Sequence, residues 1–489
     1  MKINIPTSQG GLNLKDSLDV MEPRYAIQMD NVIPDTNRDV VRGGCKKIST
    51  GAGSTFLSFD GANPTALMVA NGGVLSKLNN DGTLSEISGG YANDNWQSVH
   101  FTDASGRVNL IAVNGADKVQ RFYNDESENL THEEAFDVLG LHSPAVFKNR
   151  LYFAHEMTVK YAGVDSIAGE MKDFPVGAIF ANGGKICALA DWTQDAGEGM
   201  DDLLVILTDK GEVAVYSGTS PEATDWTLTG VFRISKPIGR NCLIKYGGDL
   251  VVITEGGYFP LSEVLSQDRA NSVPVSDKIN PIVEGKDFNA RWGVYYYPRG
   301  GWIFVNAPSK DTGYSHEQHV LNIKTGGWCR FVGWEAKDFC VYNDDLYFCN
   351  ENGIFLADNG TTDDGKKITY YLQKAYSALG IDGIKQVVQL KERVNAKGNY
   401  TAGTRLGVDF VLQDESTRLF RVGNTQTYWD SAIWDVSFWS NESRISQAKA
   451  TIFSKYGDFI SVGVLGQTAE SLEFYSTQAK LKVGRGEVW

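Results

Sequence analysis

The sequence predicts an all-β protein, a β-propeller of six or seven blades joined to a platform-like β-sandwich or barrel. An apolar strand, in most cases followed by a tight turn, recurs seven times along the chain. Amphipathic helical periodicity is almost absent between residues 46 and 359. The composition agrees, with 52 Gly against 13 Pro and 11% aromatic residues, because tight turns need positive φ and aromatic side chains favour sheets.

The apolar strands are spaced like the blades of a propeller. They are "ALMVA" at 66, "NLIAVN" at 109, "RLYFA" at 150, "LLVIL" at 203, "DLVVI" at 249, "GWIFV" at 301 and "DLYFC" at 345. Their separations of 41 to 53 residues match the roughly 40 to 50 residues of a propeller blade. One or two long β-sandwiches would also repeat hairpins, but a period kept for seven cycles favours the propeller.

Turn residues follow most of these strands: "NGG" at 71, "NG" at 114, "DKG" at 209, "EGG" at 255 and "NENG" at 350. Asn, Asp and Gly tolerate the left-handed φ that hairpin turns require. The first strand of each pair is nearly all apolar, so we expect it to be an inner strand covered by blades on both faces. The second alternates, as in "EVAVYSG", and is expected further out.

Two flanking segments do not fit the repeat. The predicted organisation is an N-terminal platform segment at residues 1–50, a β-propeller at residues 51–365 and a C-terminal β-sandwich or platform domain at residues 366–489. The last segment contains runs typical of half-buried strands, such as "KQVVQLKERVNA" and "SLEFYSTQAKLKV". The two terminal pieces are expected to build the platform together.

Three stretches resemble a known family. "HVLNIKTGGWCRFVGWEAKDFCVYNDDLYFCNENGIFLADNGTTDDGKKI" is similar to the tail nozzle (tail hub, or packaged-DNA stabilisation) proteins of short-tailed bacteriophages. The matching residues are Asn322, Thr325, Trp328, Cys329, Leu346, Tyr347, Phe348, Gly353 and Asp358. "NVIPDTNRDVVRGG" and residues 216–242 resemble the same family, and the resemblance extends in patches over most of residues 1–380.

The resemblance implies a structural, non-enzymatic virion protein. Its members join a propeller to a platform, and six subunits form a ring below the portal and adaptor that retains packaged DNA until infection. The implied partners are further copies in a homo-hexamer, the tail adaptor and portal complex, tail fibre or spike proteins, and phage DNA that passes without sequence recognition. The implied location is the virion tail, after assembly in the host cytoplasm. The alternative is a glycan-binding or glycan-degrading propeller of the phage tail.

The formal net charge of −14 argues against general affinity for nucleic acid, which depends on Lys and Arg. A DNA conduit with a repelling wall is compatible with this charge, and so is acidity that serves solubility alone. The N-terminus has no apolar signal region, and no run of residues is long and apolar enough to predict a membrane anchor. The six Cys are scattered without a CxxC pair, which predicts free thiols in a reducing cytosol.

The stretch "DWTQDAGEGMDD" is the candidate for the carboxylates of a glycosidase. It contains Asp191, Asp195, Glu198, Asp201 and Asp202. A glycosidase needs two carboxyl groups at a defined separation, whereas a Gly-containing acidic loop is usually a solvated face. "SPEATDWTL" keeps only the Ser and Trp of a sialidase-type box. No Gly-x-Ser-x-Gly elbow or phosphate-binding Gly loop is present.

Metal ligands are also sparse. His316 and His319 flank Glu317 at a spacing that would share a helical face, but "GYSHEQHVLN" indicates a loop that enters a strand. "DNGTTDDG" at 358 lacks the alternating oxygen ligands of an EF-hand and predicts a turn. Trp434 is predicted in a sandwich core, and Trp429 and Trp439 stay open between core and surface. The sequence therefore assigns no catalytic, cofactor-binding or metal-binding residue and no cofactor.

Overall fold

The computed structural model describes residues 1–60, 65–195, 200–266, 273–309, 313–396, 400–413, 445–447 and 451–483. These residues form an almost purely β protein, which confirms the predicted fold class. Six short strands come first: β1 Lys2–Ile5, β2 Gly11–Leu12, β3 Tyr25–Asp30, β4 Val32–Asp35, β5 Arg38–Val41 and β6 Cys45–Ser49.

The next strands form antiparallel sheets, one blade after another. Blade 1 is β7 Thr55–Phe59, β8 Ala66–Asn71, β9 Val74–Leu78 and β10 Leu84–Gly89. Blade 2 is β11 Gln97–Thr102, β12 Val108–Val113, β13 Gln120–Asn124 and β14 Leu130–Glu134. Blade 3 is β15 His142–Phe147, β16 Arg150–His155, β17 Thr158–Tyr161 and β18 Lys172–Pro175, followed by a 3-10 turn at Gly177–Ile179.

Blade 4 is β19 Ile186–Asp195, β20 Met200–Thr208, β21 Glu212–Ser217 and β22 Thr227–Arg233. Blade 5 is β23 Leu243–Tyr246, β24 Asp249–Thr254 and β25 Gly257–Pro260, followed by α1 Leu261–Ser266, a 3-10 turn at Asp277–Ile279 and α2 Asn280–Glu284. Blade 6 is β26 Gly293–Tyr297, β27 Trp302–Pro308, β28 His316–Asn322 and β29 Gly327–Val332. Blade 7 begins with β30 Asp338–Tyr342, β31 Asp345–Asn350 and β32 Gly353–Ala357.

The blades close into a ring of seven. The first strand of each blade contacts the first strand of the next, and β30 of blade 7 returns to contact β7 of blade 1. The predicted range of six or seven blades therefore resolves to seven. The ring is the geometry in which every blade can bury both faces against its neighbours.

The seven apolar strands of the repeat are the second strands of the blades, not the innermost ones. In blade 2, the residues from Asn109 to Val113 on β12 are fully buried, whereas β11 inside it is more exposed. The second strand is flanked by strands on both edges and covered by blades on both faces. The first strand has one edge toward the central channel and therefore tolerates polar side chains.

A strand from the N-terminal segment completes blade 7. Strand β6 pairs antiparallel with β32, with Cys45 opposite Ala357 and Ser49 opposite Ile354. Residues 45–49 were predicted in the platform segment, because the hydrophobic pattern of a strand carries no information on a partner some 300 residues away. The ring is thus closed by hydrogen bonds between the beginning and the end of the repeat region.

The remaining strands are β33 Thr362–Asp363, β34 Lys366–Lys374, β35 Lys385–Ala396, β36 Thr401–Val408, β37 Val411–Leu412, β38 Ile445–Gln447, β39 Thr451–Gly457, β40 Ile460–Thr468 and β41 Leu472–Val483. One sheet joins β1, β4 and β5 to β35, β38, β39 and β41. The other runs through β3, β34, β40, β36 and β37. Apolar side chains fill the space between them, among them Ile5, Val387, Leu406, Val462 and Leu481. The predicted platform of N- and C-terminal segments is therefore a β-sandwich.

Propeller and platform share one continuous sheet. From blade 6 it passes from β29 to β2 and β3 by parallel pairing, then to β34, β33 and β6, and so into blade 7. Hydrogen-bonded strands, rather than a linker, connect the two parts.

Arg42 lies where this shared sheet meets both parts. Its side chain has no solvent exposure, and its two terminal nitrogens donate to both carboxylate oxygens of Asp363 at 2.8 and 2.7 Å. Its Nε donates to Asn31 Oδ1 at 2.8 Å, and Nη2 also donates to the carbonyl of Val332 at 3.0 Å. The guanidinium stacks 4.5 Å from the ring centre of Trp334. One planar cation thus fastens residues from β33, blade 6 and the N-terminal segment.

We expect Arg42→Lys to lower the free energy of unfolding by about 3 kcal/mol, because an ammonium cannot replace the bidentate fork and leaves buried acceptors unpaired. Denaturant unfolding followed by tryptophan fluorescence measures the change. Arg38→Lys is the matched control, since Arg38 is 40% exposed and its ion pairs should contribute less than about 1 kcal/mol. Equal destabilisation by both substitutions would contradict the role given to Arg42.

Asp39 is a buried carboxyl group in the platform. Asp39 has no solvent exposure and accepts from the backbone N–H of Ser8 at 3.0 and 3.1 Å. Burial raises the pKa of Asp39 to about 6, against the opposing charge of Lys374 and the Ser8 hydrogen bonds. The carboxyl group is therefore protonated in the folded state at a pH where it is ionised in the unfolded chain.

The pH dependence of stability follows from this pKa. The protonated Asp39 contributes stability that is fully present below pH 3.8 and is lost as the pH rises through about 6, a change of about 3 kcal/mol for two pKa units. We expect Asp39→Asn to become more stable relative to the unsubstituted protein between pH 4 and 7, measured from denaturation midpoints. Asp35→Asn is the control, because hydrogen bonds lower the pKa of Asp35 despite its partial burial. Parallel pH profiles for Asp39→Asn and the unsubstituted protein would contradict this assignment.

Candidate functional site at the propeller axis

Hydrogen bonds join the beginnings of the innermost strands at one mouth of the central channel. The Gln97 side chain accepts from the Ser143 backbone at 3.0 Å, and the Ser143 hydroxyl accepts from the Leu189 backbone at 2.7 Å. These bonds connect blades 2, 3 and 4. The thiol of Cys187 in blade 4 donates to the Gly239 carbonyl at 2.9 Å, just before blade 5. We call this series of hydrogen bonds between blades the belt.

Asp338 also joins neighbouring blades by hydrogen bonds, at the place where the ring closes. Its carboxylate accepts from the Phe56 backbone of blade 1 at 2.8 Å and from the Tyr295 hydroxyl of blade 6 at 2.6 Å. Arg291 lies 3.4 Å from the same carboxylate. One side chain at the start of blade 7 therefore holds the blades on both of its sides.

The mouth is also bridged across the channel. The amide nitrogen of Gln97 in blade 2 donates to the Asn241 side-chain oxygen at 3.1 Å and to the Arg240 carbonyl at 3.3 Å, both beside blade 5. Blades 2 and 5 are three positions apart in a ring of seven. The contact therefore spans the axis and narrows the central channel of the propeller.

A polar cavity of about 270 Å³ lies beside this bridge. Its polar lining is Asn95, Gln97, Arg240, Asn241, Asn289 and Arg291. These residues come from the entries to blades 2, 5 and 6, and their distance along the chain leaves no local sequence pattern that would predict the cavity. Arg240 lies in residues 216–242, for which the sequence indicated a family resemblance but no binding role.

The two arginines of the cavity differ in their partners. Arg291 donates to the Ser54 carbonyl at 2.8 Å and to the Thr55 hydroxyl at 2.6 Å, and it faces Asp338. Arg240 makes one long contact, from Nη1 to the Asn114 carbonyl at 3.4 Å. Its side chain is open to the cavity, and desolvation by the surrounding protein lowers the pKa of Arg240. Within the described ranges, no carboxylate forms an ion pair with it.

The acidic loop predicted from the sequence is the extended hairpin of β19 and β20. Asp191 pairs with Lys245 of blade 5 at 2.6 Å, and Asp202 pairs with Lys148 of blade 3 at 2.6 Å. The hydrogen bond from Lys148 lowers the pKa of Asp202. These two carboxylates are charged contacts between blades. Glu198 and the side chains of Asp195 and Asp201 lie outside the described residues.

The two histidines examined as metal ligands lie on opposite faces of strand β28, because side chains alternate along a strand. His319 is fully buried, with Nε2 donating to Glu317 at 2.9 Å and Nδ1 accepting from the Tyr258 hydroxyl at 2.8 Å. Lys286 lies 2.7 Å from Glu317. Burial alone would raise the pKa of Glu317, but these partners and Arg330 lower it to about 2. Glu317 and His319 thus belong to a satisfied ionic network between blades 5 and 6.

His316 lies on the other face beside the Ser315 hydroxyl. Across the residues that the structure describes, no set of three or more His, Cys, Asp or Glu side chains could hold a metal ion. The "DNGTTDDG" stretch forms two turns, with positive φ at Asp358 and Asp364, on either side of the short strand β33, whose Asp363 binds Arg42. Trp429, Trp434 and Trp439 lie outside the described residues. All six cysteines are free, and all but Cys340 are buried.

Known proteins resemble this chain in structure, at low sequence identity. No protein-family model matches the sequence, and no curated protein matches it significantly. Among solved structures, the computationally designed Ika8 protein covers 65% of this chain and 99% of its own, with 10% identity and a TM-score of 0.36. The match to Chaetomium thermophilum Raptor covers 65% of this chain but 28% of Raptor, with 11% identity and a TM-score of 0.43. BBS1N in complex with ARL6DN covers 66% and 99%, with 9% identity and a TM-score of 0.40. These scores carry no conclusion about function.

Within the described part of the chain, no helix is long and apolar enough to cross a membrane.

We expect Asp338→Ala to lower the free energy of unfolding by about 3 kcal/mol, since it leaves a buried backbone N–H, a buried hydroxyl and Arg291 without their acceptor. Denaturant unfolding measures this loss, and limited proteolysis should show earlier cleavage near blades 1 and 7. Asp345→Ala is the matched control, because Asp345 pairs with the exposed Arg299 at the rim of the same blade. A loss no larger than that of the control would contradict the closure role of Asp338.

Proposed function

We propose that this chain is a non-enzymatic structural subunit of the tail nozzle of a short-tailed bacteriophage. In this role, copies of the chain form a ring, expected to be a hexamer, below the portal and adaptor. The ring retains packaged DNA and later conducts it. The family resemblance motivates the proposal, and the observation that carries it structurally is the single sheet shared by propeller and platform.

A shared sheet suits a load-bearing ring subunit. Strands β29, β2, β3, β34, β33 and β6 are hydrogen-bonded in succession between blade 6 and blade 7. Domains connected by flexible linkers move relative to one another by default, whereas bending this junction would break strand pairing. Force applied to the platform is thus transmitted to the propeller without a hinge.

The DNA path in this proposal lies between subunits. The channel of each propeller is crossed by the Gln97 contact with Asn241 at 3.1 Å, which leaves no passage for a duplex there. The net charge of −14 is compatible with a ring lumen that repels the polyanion, because each exposed Lys or Arg on its wall would add salt-dependent affinity. A lumen dominated by Lys and Arg would count against this electrostatic element.

The platform offers a surface for assembly at one end of the sandwich. Six large apolar side chains there are each 40 to 62% exposed: Ile384, Phe410, Val411, Leu412, Tyr456 and Val483. Strand register brings Lys385, next to Ile384, opposite Val483, and Gln386 opposite Tyr456. The Phe410 ring lies 5.0 Å from that of Phe459, which ties the hairpin to the same end. Exposed apolar patches of this kind mark contact surfaces, and we call this one the platform apolar end.

We expect Val411→Asp to weaken ring assembly, because the subunit contact would have to desolvate a carboxylate. Mass photometry of the purified protein should show a shift from closed oligomers to single subunits. Val231→Asp is the matched control, since Val231 is an exposed valine on the outer strand of blade 4. An unchanged oligomer with Val411→Asp would remove the platform apolar end from the proposed interface.

The whole proposal is tested by imaging the assembled virion. Density for this chain in a closed ring below the portal is the expected result, and density on peripheral spikes would favour the glycan-directed alternative. Incubation of the purified protein with host polysaccharide separates the two chemically. Reproducible fragmentation of the polysaccharide would overturn the non-enzymatic proposal.

A further inference from the structure

The polar cavity beside the Gln97 bridge, here called the axial cavity, is lined by several hydrogen-bond donors. The Gln97 side chain is already occupied by its contacts with Ser143, Arg240 and Asn241. The Asn95 and Asn289 side chains are exposed at the cavity. Amide groups of this kind can orient a polar ligand, but the charge of the site comes from the two arginines.

Only one of these arginines is neutralised. Asp338 lies 3.4 Å from Arg291 and offsets its charge, and the Ser54 carbonyl and Thr55 hydroxyl occupy its Nη1. Arg240 has its 3.4 Å contact with a neutral carbonyl and no countercharge among the described residues. The excess positive charge of the cavity therefore belongs to Arg240.

The backbone around Arg240 positions its guanidinium. Gly115 has φ of +80°, and a Cβ at that position would collide with the Arg240 terminal nitrogens. The absence of a side chain lets the guanidinium lie against the turn after β12. The blade 2 contact through Gln97 holds the Arg240 backbone at the same time. The guanidinium of Arg240 thus lies against blade 2, is open to the cavity and keeps N–H donors for a ligand.

We infer that the axial cavity is a binding site for a small molecule bearing an oxyanion group, a phosphate or a carboxylate, held by the guanidinium of Arg240. Two of the five N–H donors of an arginine match two oxygens of such a group. The cavity of about 270 Å³ is slightly below the roughly 300 Å³ at which pockets for drug-sized molecules begin, so the ligand is small. This site is independent of the proposed nozzle function, because it lies inside one propeller.

Isothermal titration calorimetry of the intact protein tests the site, with inorganic phosphate and citrate as separate probes at constant ionic strength. Saturable binding of at least one probe is expected in the unsubstituted protein. Arg240→Gln should weaken it by about tenfold or more, and Arg240→Lys should weaken it less, because charge remains while the bidentate fork is lost. Arg299→Gln, which removes an exposed arginine at the rim of the propeller, is the matched control and should bind as the unsubstituted protein does.

Circular dichroism and the denaturation midpoint verify that each variant is folded. Phosphate binding alone would assign a phosphate site, and citrate binding alone would assign a carboxylate site. Either result, or binding of both probes, supports the inference if Arg240→Gln weakens the binding about tenfold or more and Arg299→Gln does not. Absence of saturable binding with either probe, or equal weakening by Arg240→Gln and Arg299→Gln, overturns it.

Discussion

The architecture depends on the hydrogen bonds that the buried guanidinium of Arg42 donates. A fully buried cation is unfavourable unless its donors are paired, and Arg42 satisfies this condition with groups from three separate regions of the chain. Asp363 comes from the strand that leads into the platform, Val332 from blade 6 and Asn31 from the N-terminal segment. The burial of Arg42 is therefore possible only when all three regions are in place. We therefore expect propeller and platform to unfold together.

The same logic governs the channel mouth. Asp338, Gln97 and Ser143 are polar groups at the starts of strands, where the apolar faces of the blades end. Apolar burial holds adjacent blades face to face but does not fix their stagger along the axis. Directional hydrogen bonds between strand ends supply that constraint. Arg240 stands apart in this belt, because its charge has no partner within the described residues.

Much of this architecture was predictable from the sequence. The seven apolar runs locate the second strand of each blade, as "LIAVN" does at β12, because burial on four sides leaves a strong local pattern. The innermost strands were missed because strands such as β11 mix polar and apolar side chains at the channel. The pairing of β6 with β32 and the convergence of Arg240 with Arg291 were also inaccessible. Both depend on contacts between distant segments, for which a single sequence contains no periodic signal. The spacing of His316 and His319 was informative only once β28 was known to be a strand.

The closure of blade 7 by β6 has a consequence for how the chain reaches its native state. During synthesis, β6 emerges about 300 residues before β32, and until then it is an unpaired edge. The ring cannot be completed by local contacts, because pairing β6 with β32 closes a loop of about 300 residues at a cost in chain entropy. A polypeptide that ends within the repeats retains unpaired sheet edges and an incomplete platform. Closing the ring therefore requires a chain that extends through β32, and a shorter fragment cannot form it.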